Sequence, residues 1–87
     1  MKKVIFGYTE NCGTCKMAKE MLYLANHTFN IEVEELNLSL EKDLIKKHRI
    51  TSTPAFIFMD GDEVVSQFYA FHSVTYLFEK LGELAQK

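Results

Sequence analysis

The feature that most constrains this chain is a pair of cysteines separated by two residues, Cys12-Gly13-Thr14-Cys15. The pair lies where an apolar run, Val4-Ile5-Phe6, gives way to a helical pattern of apolar residues. The sequence has no third cysteine. A Cys-x-x-Cys at a strand-to-helix junction of a cytosolic chain is typical of a dithiol that is oxidised and reduced in turn.

A position at the start of a helix indicates how Cys12 would react. The first turn of a helix has unpaired N–H groups and a partial positive charge, and both stabilise a thiolate. We therefore predict that the pKa of Cys12 lies below the ~8.5 of a free cysteine and that Cys12 is the attacking residue.

The spacing of the two cysteines constrains the backbone between them. Residues three apart in a regular helix have Cβ atoms about 5–6 Å apart, whereas a disulfide needs roughly 3.5–4.5 Å. Bonding therefore requires Cys12 to lie at the irregular edge of the helix. Asn11 is a good N-cap residue, Gly13 relaxes the backbone, and Thr14 completes the expected start of the helix.

Two other roles fit the same cysteine pair. A structural disulfide that closes so short a loop would contribute only about 2 kcal/mol, and a reducing cytosol would keep it open. Half of a zinc site, or a ligand pair for a subunit-bridging iron–sulfur cluster, is the second alternative. Such a site needs further ligands, and His27, His48 and His72 lie singly and far apart in the sequence. A non-catalytic module that binds a metal or a partner protein through the cysteines therefore stays open.

Length and charge limit the class of protein. Eighty-seven residues, 47% of them hydrophobic, predict one small domain over 1–87. The net charge of -2 is not that of a nucleic-acid-binding protein. Only three apolar residues follow Lys2-Lys3, whereas an export signal needs roughly 7–15 and a membrane span about 20. We expect a cytoplasmic, soluble monomer that binds neither nucleic acid nor membrane and has no resident metal.

The apolar pattern predicts seven elements in the order βαβ-α-ββα. The first strand covers residues 3–8, and the first helix covers 12–26 with an apolar face of Met17, Met21, Leu24 and Ala25. The second strand lies within 29–38, where a change of phase at Glu34-Glu35 predicts a bulge in an edge strand.

A second helix, a hairpin and a third helix complete the predicted order. Ser39 is the expected cap of the second helix, and Pro54 can occupy the first position of the apolar strand 55–59. Asp60-Gly61-Asp62 predicts a hairpin turn before the strand 63–69, and Ser73 is the expected cap of the last helix. The apolar stripes of these two helices are Leu40, Leu44 and Ile45, and Val74, Leu77, Phe78, Leu81 and Leu84.

This order of elements, the Cys-x-x-Cys at the first helix, and Thr53-Pro54 before the next-to-last strand resemble the thioredoxin fold over nearly the whole chain. The resemblance implies an α/β thioredoxin fold with a four-stranded mixed sheet in the order 2-1-3-4, flanked by three helices. It implies that the first two strands are parallel and that the final hairpin is antiparallel to them. It also implies a cis bond at Pro54, packing of Thr53-Pro54 beside Cys12 and Cys15, and substrate binding by the Thr53 backbone.

Several positions depart from the family pattern. The Trp that often precedes the first cysteine is Asn11, and the buried Asp six residues before that cysteine is Phe6. Because such an Asp can move protons for the second cysteine, the proton acceptor is open here, with water and Glu10 as candidates. The usual glycine after the last strand is Ala70. Tyr69 and Phe71 in the same loop are expected either to contact substrate or to belong to the core.

The resemblance implies a thiol–disulfide oxidoreductase that reduces protein disulfides, with the Cys12–Cys15 disulfide as its redox centre and no other cofactor. Cys12 would attack the substrate sulfur, and Cys15 would resolve the mixed disulfide. A flavoprotein thioredoxin reductase would then regenerate the dithiol. A glutathione-dependent glutaredoxin is the alternative enzyme, although residues 67–72 lack the Gly-Gly pair followed by Asp that glutaredoxins commonly carry there.

Overall fold

A computed structural model describes residues 1–69 and 73–86. Its strands are β1 (Lys2–Tyr8), β2 (Glu32–Asn37), β3 (Ala55–Asp60) and β4 (Glu63–Tyr69). Its helices are α1 (Cys15–Asn26), α2 (Lys42–His48) and α3 (Val74–Gln86). The strands form one mixed sheet in the order β2-β1-β3-β4, so the predicted order of elements and of strands is confirmed.

The pairing of the strands places β1 in the interior of the sheet. β1 is parallel to β2 and antiparallel to β3, and β3 is antiparallel to β4. The turn between β3 and β4 contains Gly61, whose φ of 65° lies in the left-handed region that glycine tolerates best. The predicted hairpin is therefore confirmed, and the carboxyl end of the central strand β1 leads directly to the cysteines.

Each face of the sheet carries its own core because successive side chains of a strand point to opposite faces. Val4, Phe6, Phe56 and Phe58 pack with the buried residues of α1 and α3 on one face. Ile5, Ile57 and Met59 form the smaller core on the other face, against which Leu36, Leu44 and Ile50 pack. Cys15 belongs to the larger core, and Cys12 packs against it.

Helix α1 buries a face that overlaps the predicted one only in part, since Ala25 is buried and Met21 packs against the core as predicted. Its buried residues are Cys15, Ala18, Leu22, Ala25 and Asn26, whereas Met17 is 55% exposed and Leu24 is 66% exposed. The stripe at 15, 18, 22 and 25 has helical spacing and includes Cys15, which the prediction did not count as a core residue. The side of the helix that carries Cys15 is therefore the side that faces the sheet.

Strand β2 has no bulge. Its register with β1 runs without a shift from Lys3↔Glu32 to Tyr8↔Asn37, so the prediction made from Glu34 and Glu35 was wrong. As predicted, β2 lies at the edge of the sheet. Each of the two adjacent glutamates pairs with a lysine, Glu34 with Lys3 at 3.1 Å and Glu35 with Lys19 at 3.5 Å. Charge pairing at the sheet edge, rather than a bulge, explains the change of phase.

Helix α2 begins later than predicted. Glu41 is its N-cap residue, and no side chain bonds to the cap. The backbone N–H of Ser39 instead donates to Oδ1 of Asn37 at 3.0 Å, which closes a turn before the helix. Leu40 lies in this turn and is 79% exposed. The predictions that Ser39 caps α2 and that Leu40 belongs to its apolar stripe were therefore wrong.

Helix α3 follows the prediction more closely. Oγ of Ser73 accepts a hydrogen bond from the N–H of Tyr76 at 3.1 Å, which confirms the predicted cap. Leu77, Leu81 and Leu84 are buried, but Phe78 is 43% exposed. The apolar stripe is thus narrower than the sequence indicated.

Candidate active site

Cys12 and Cys15 are joined by a disulfide in the turn between β1 and α1. Their Cα atoms lie 5.4 Å apart, within the usual range for a disulfide. The N–H of Cys12 donates to the carbonyl of Thr9 at 3.2 Å, and the N–H of Cys15 donates to the carbonyl of Cys12 at 3.4 Å. Two consecutive tight turns therefore bring the cysteines together at the end of the central strand.

The cysteine turn replaces the first turn of the predicted helix. Helix α1 begins at Cys15, and Thr14 is its N-cap residue without a side-chain cap bond. Asn11 is exposed and lies before the turn, so the expected helix from residue 12 and the expected cap at Asn11 were wrong. The cause is the i→i+3 hydrogen bond from Cys15 to Cys12, which tightens the backbone there. Cys12 lies outside the regular helix, as the disulfide with Cys15 requires.

The two sulfurs differ in exposure. Cys15 is only 6% exposed and belongs to the larger core. Cys12 is half-buried at the edge of that core, and its Sγ lies 3.8 Å from the hydroxyl of Thr14. Cys12 is therefore the sulfur that a second molecule can approach more easily.

Thr9 connects the loop that contains Thr53 and Pro54, called the proline loop, to the cysteine turn. The Thr53–Pro54 peptide bond is cis, and the Pro54 side chain is fully buried. The hydroxyl of Thr53 lies 3.5 Å from the hydroxyl of Thr9. The backbone carbonyl of Thr9 in turn accepts a hydrogen bond from the N–H of Cys12. Thr9 could not be recognised from the sequence, because a threonine in a loop belongs to no motif and its partners become visible only in the fold.

A cleft of about 310 Å³ opens beside the disulfide, between α1 and β2. Both cysteines line it, together with Phe6 of β1, Lys19 of α1 and Glu35 of β2. The buried sulfur of Cys15 thus borders a space that also contains charged groups.

Glu35 is the best-connected charged residue of the cleft. Its carboxylate lies 3.5 Å from Nζ of Lys19 and accepts a hydrogen bond from the hydroxyl of Tyr23 at 2.5 Å. This hydrogen bond, with smaller effects of burial and of the carboxylate charge, raises the pKa of Tyr23 to about 12. Lys19 and Glu35 could not be recognised as site residues from the sequence, because their proximity depends on how α1 packs on β2.

Tyr69, another predicted site residue, is the last residue of β4. The hydroxyl of Tyr69 accepts a hydrogen bond from Nε2 of Gln67 at 2.8 Å and donates to the carbonyl of Arg49 at 3.2 Å. Tyr69 therefore ties β4 to the residue that follows α2. Ala70 and Phe71 lie outside the described residues.

Within residues 1–69 and 73–86, no three His, Cys, Asp or Glu side chains are grouped so that they could hold a metal ion. In the same described ranges, no helix has the length and apolar character needed to cross a membrane.

Comparisons with known proteins agree with this geometry. Residues 2–83 match the thioredoxin family model. The chain is 34% identical over 81 residues to the thioredoxin-like protein YusE of Bacillus subtilis (strain 168), which covers 92% of the chain and 76% of that protein. It is 28% identical over 86 residues to Thioredoxin-T of Drosophila melanogaster, covering 97% of the chain and 52% of that protein.

A solved structure shows the same fold. Thioredoxin-2 of a malaria parasite superposes with a TM-score of 0.85 at 16% identity, covering 95% of this chain and 82% of the other. The chain therefore belongs to the thioredoxin family. It is a thiol–disulfide oxidoreductase of that family, and Cys12 and Cys15 are its disulfide-bonded pair.

Proposed function

We propose that the protein reduces disulfide bonds in other proteins. The observation that carries this proposal is the unequal burial of the two bonded cysteines, with Cys12 half-buried and Cys15 only 6% exposed. Attack on a large substrate requires an accessible sulfur, whereas resolution of the mixed disulfide is intramolecular and suits a buried one. The cysteine turn supplies one accessible and one buried cysteine, three residues apart in the sequence.

The proposed cycle has two exchange steps. In the first, the Cys12 thiolate attacks one sulfur of the substrate disulfide, a mixed disulfide forms, and the other substrate sulfur leaves as a thiolate. In the second, deprotonated Cys15 attacks Sγ of Cys12, the Cys12–Cys15 bond forms, and the bond to the substrate breaks. Two electrons have then passed to the substrate. A flavoprotein thioredoxin reductase returns them, and no cofactor beyond the cysteine pair takes part.

The proline loop is the proposed substrate-binding surface. Thr53 and Pro54 would bind an extended segment of the substrate, with the Thr53 backbone forming its hydrogen bonds. The contact between Thr53 and Thr9 supports this proposal, because Thr9 also bonds to the Cys12 backbone. Contact with the substrate is also proposed for Tyr69, Ala70 and Phe71. The protein is proposed to act as a cytoplasmic monomer.

Trapping of the mixed disulfide tests the roles of the two cysteines. The Cys15→Ser variant is mixed with a disulfide-bonded protein and should accumulate a covalent adduct, visible by intact mass and removed by reductant. The Cys12→Ser variant is the matched control and should form none. Full turnover by both variants, or an adduct only on Cys12→Ser, would refute the proposed cycle.

A comparison of electron donors tests the proposed partner. NADPH with thioredoxin reductase should support turnover of the wild-type protein, and glutathione with its own reductase should support little. The opposite result would make the protein a glutaredoxin. Metal analysis of the gently purified protein tests the remaining alternative, since stoichiometric metal without turnover would identify a binding module.

A further inference from the structure

The second exchange step needs a proton acceptor. Cys15 must lose its proton before it attacks Cys12, and the buried position six residues before Cys12 holds Phe6, whose ring accepts no proton. Cys15 is 6% exposed, so bulk solvent has restricted access to its sulfur. The cleft beside the disulfide is the route by which a proton can leave. This inference rests on the proposed function.

One face of α1 points along this cleft towards β2. Cys15, Lys19 and Tyr23 follow one another at intervals of four residues, which places them on the same side of a helix. Both Lys19 and Tyr23 contact the carboxylate of Glu35. Glu35 is the register partner of Phe6. The Glu35 carboxylate therefore lies beside the ring of Phe6, which occupies the position of the buried aspartate of many thioredoxins. It also lies at the far end of the row that runs from Cys15 through Lys19 to Tyr23.

The titratable groups of the cleft can be compared by chemistry. Besides the cysteines, the described lining residues that titrate are Tyr8, Glu10, Lys16, Lys19 and Glu35. Near neutral pH a lysine or tyrosine side chain is already protonated, so only the two carboxylates can accept a proton. Hydrogen bonding and ion pairing to α1 fix Glu35 in place, whereas Glu10 is an exposed residue of the loop before the cysteines.

We propose that Glu35 accepts the Cys15 proton through water in the cleft, and that Lys19 and Tyr23 position its carboxylate. A cleft of about 310 Å³ has room for several water molecules, since each occupies ~30 Å³. The proton passes from Cys15 to this water and then to Glu35. The Cys15 thiolate attacks Sγ of Cys12, and the substrate sulfur leaves as a thiolate. Because 36% of the Glu35 side chain is exposed, the proton then passes to solvent.

A purely electrostatic role for Glu35 predicts the opposite effect of substitution. Glu35→Gln removes a negative charge and leaves Lys19 without its carboxylate partner. Both changes favour the thiolate of Cys15, lower its pKa and would speed the resolving step. Loss of a proton acceptor slows the same step. The sign of the change in rate therefore separates the two roles.

The test isolates the resolving step. Cys12 is first converted at acid pH to a mixed disulfide with a chromogenic aromatic thiol. A jump to neutral pH then starts the attack by Cys15, and release of the chromophore gives its rate. We expect Glu35→Gln to slow release about a hundredfold, at the low end of general-base effects. Added formate should restore much of the rate, and higher pH should reduce the difference from wild type. Glu35→Asp, which retains a carboxylate, should stay close to wild type.

Two control variants keep the test specific. Glu34→Gln removes the same charge from the neighbouring residue of β2, whose partner is Lys3, and should not change the rate. Equal or faster release by Glu35→Gln, or slowing by Glu10→Gln instead, would overturn the assignment. If wild-type protein itself releases no chromophore, the proposed function fails. If wild type releases it and Glu35→Gln behaves identically, only the role of Glu35 fails.

Discussion

Asn26 joins the end of α1 to the start of β2, the two elements that form the cleft. Its side chain is 6% exposed, its Nδ2 donates to the carbonyl of Ile31 at 2.7 Å, and its Oδ1 accepts the Ile31 N–H at 3.0 Å. Asn26→Ala removes both bonds. Each buried group left without a partner costs about 1–3 kcal/mol, while alanine regains roughly 0.5 kcal/mol of helix propensity. Since water can reach the half-buried Ile31, we expect a loss of about 2–4 kcal/mol.

Urea unfolding of the oxidised protein measures this loss. The midpoint should fall while the m-value stays constant, because the same surface is exposed on unfolding. His27→Ala is the matched control, since His27 is the exposed next residue, and it should change stability by less than about 0.5 kcal/mol. If Asn26→Ala is as stable as that control, the two hydrogen bonds do not hold α1 to β2.

Two further predictions concern packing and titration. A Cβ at Gly7 would lie 2.8 Å from Cδ1 of Leu38, whereas a Cβ at Gly82 would lie 3.5 Å from the Phe29 ring. Gly7→Ala should therefore lower the free energy of unfolding, measured in urea, by about 1–3 kcal/mol. Gly82→Ala lies in a helix and should raise it by roughly 0.5–1 kcal/mol. Equal effects of the two substitutions would contradict this. The hydrogen bond to Glu35 raises the pKa of Tyr23 to about 12 from 10.0, so wild type should lose stability between these values relative to Tyr23→Phe. If the difference in stability between wild type and Tyr23→Phe stayed constant from neutral pH to pH 12, the hydrogen bond from Tyr23 to Glu35 would not form.

Local signals in the sequence predicted the frame of the fold well. Ser73 caps α3, and Gly61 turns the final hairpin, because each depends on residues next to it in the chain. The expected start of α1 and the expected bulge in β2 were wrong for different reasons. The cysteine turn replaces one helical turn, whereas ion pairs with Lys3 of β1 and Lys19 of α1 accommodate Glu34 and Glu35 without a bulge.

The site was predictable only as far as its motif. Cys12, Cys15 and Pro54 stand out in the sequence because a pair of thiols and a single proline are chemically distinctive. Thr9 and Glu35 do not, since a threonine and a glutamate are common surface residues. Thr9 and Glu35 become site residues only through tertiary packing. It places the Thr9 and Thr53 hydroxyls 3.5 Å apart and the Glu35 carboxylate 3.5 Å from Nζ of Lys19.

Rapid alkylation of the reduced wild-type protein tests the assignment of Cys12 as the attacking thiol most directly. A pulse of iodoacetamide at a series of pH values, followed by mass mapping of the peptides, gives the reactivity of each cysteine separately. We expect the label on Cys12 first, with an apparent pKa below ~8.5, and slow labelling of the buried Cys15. Faster labelling of Cys15, or a Cys12 no more acidic than a free cysteine, would contradict the assignment.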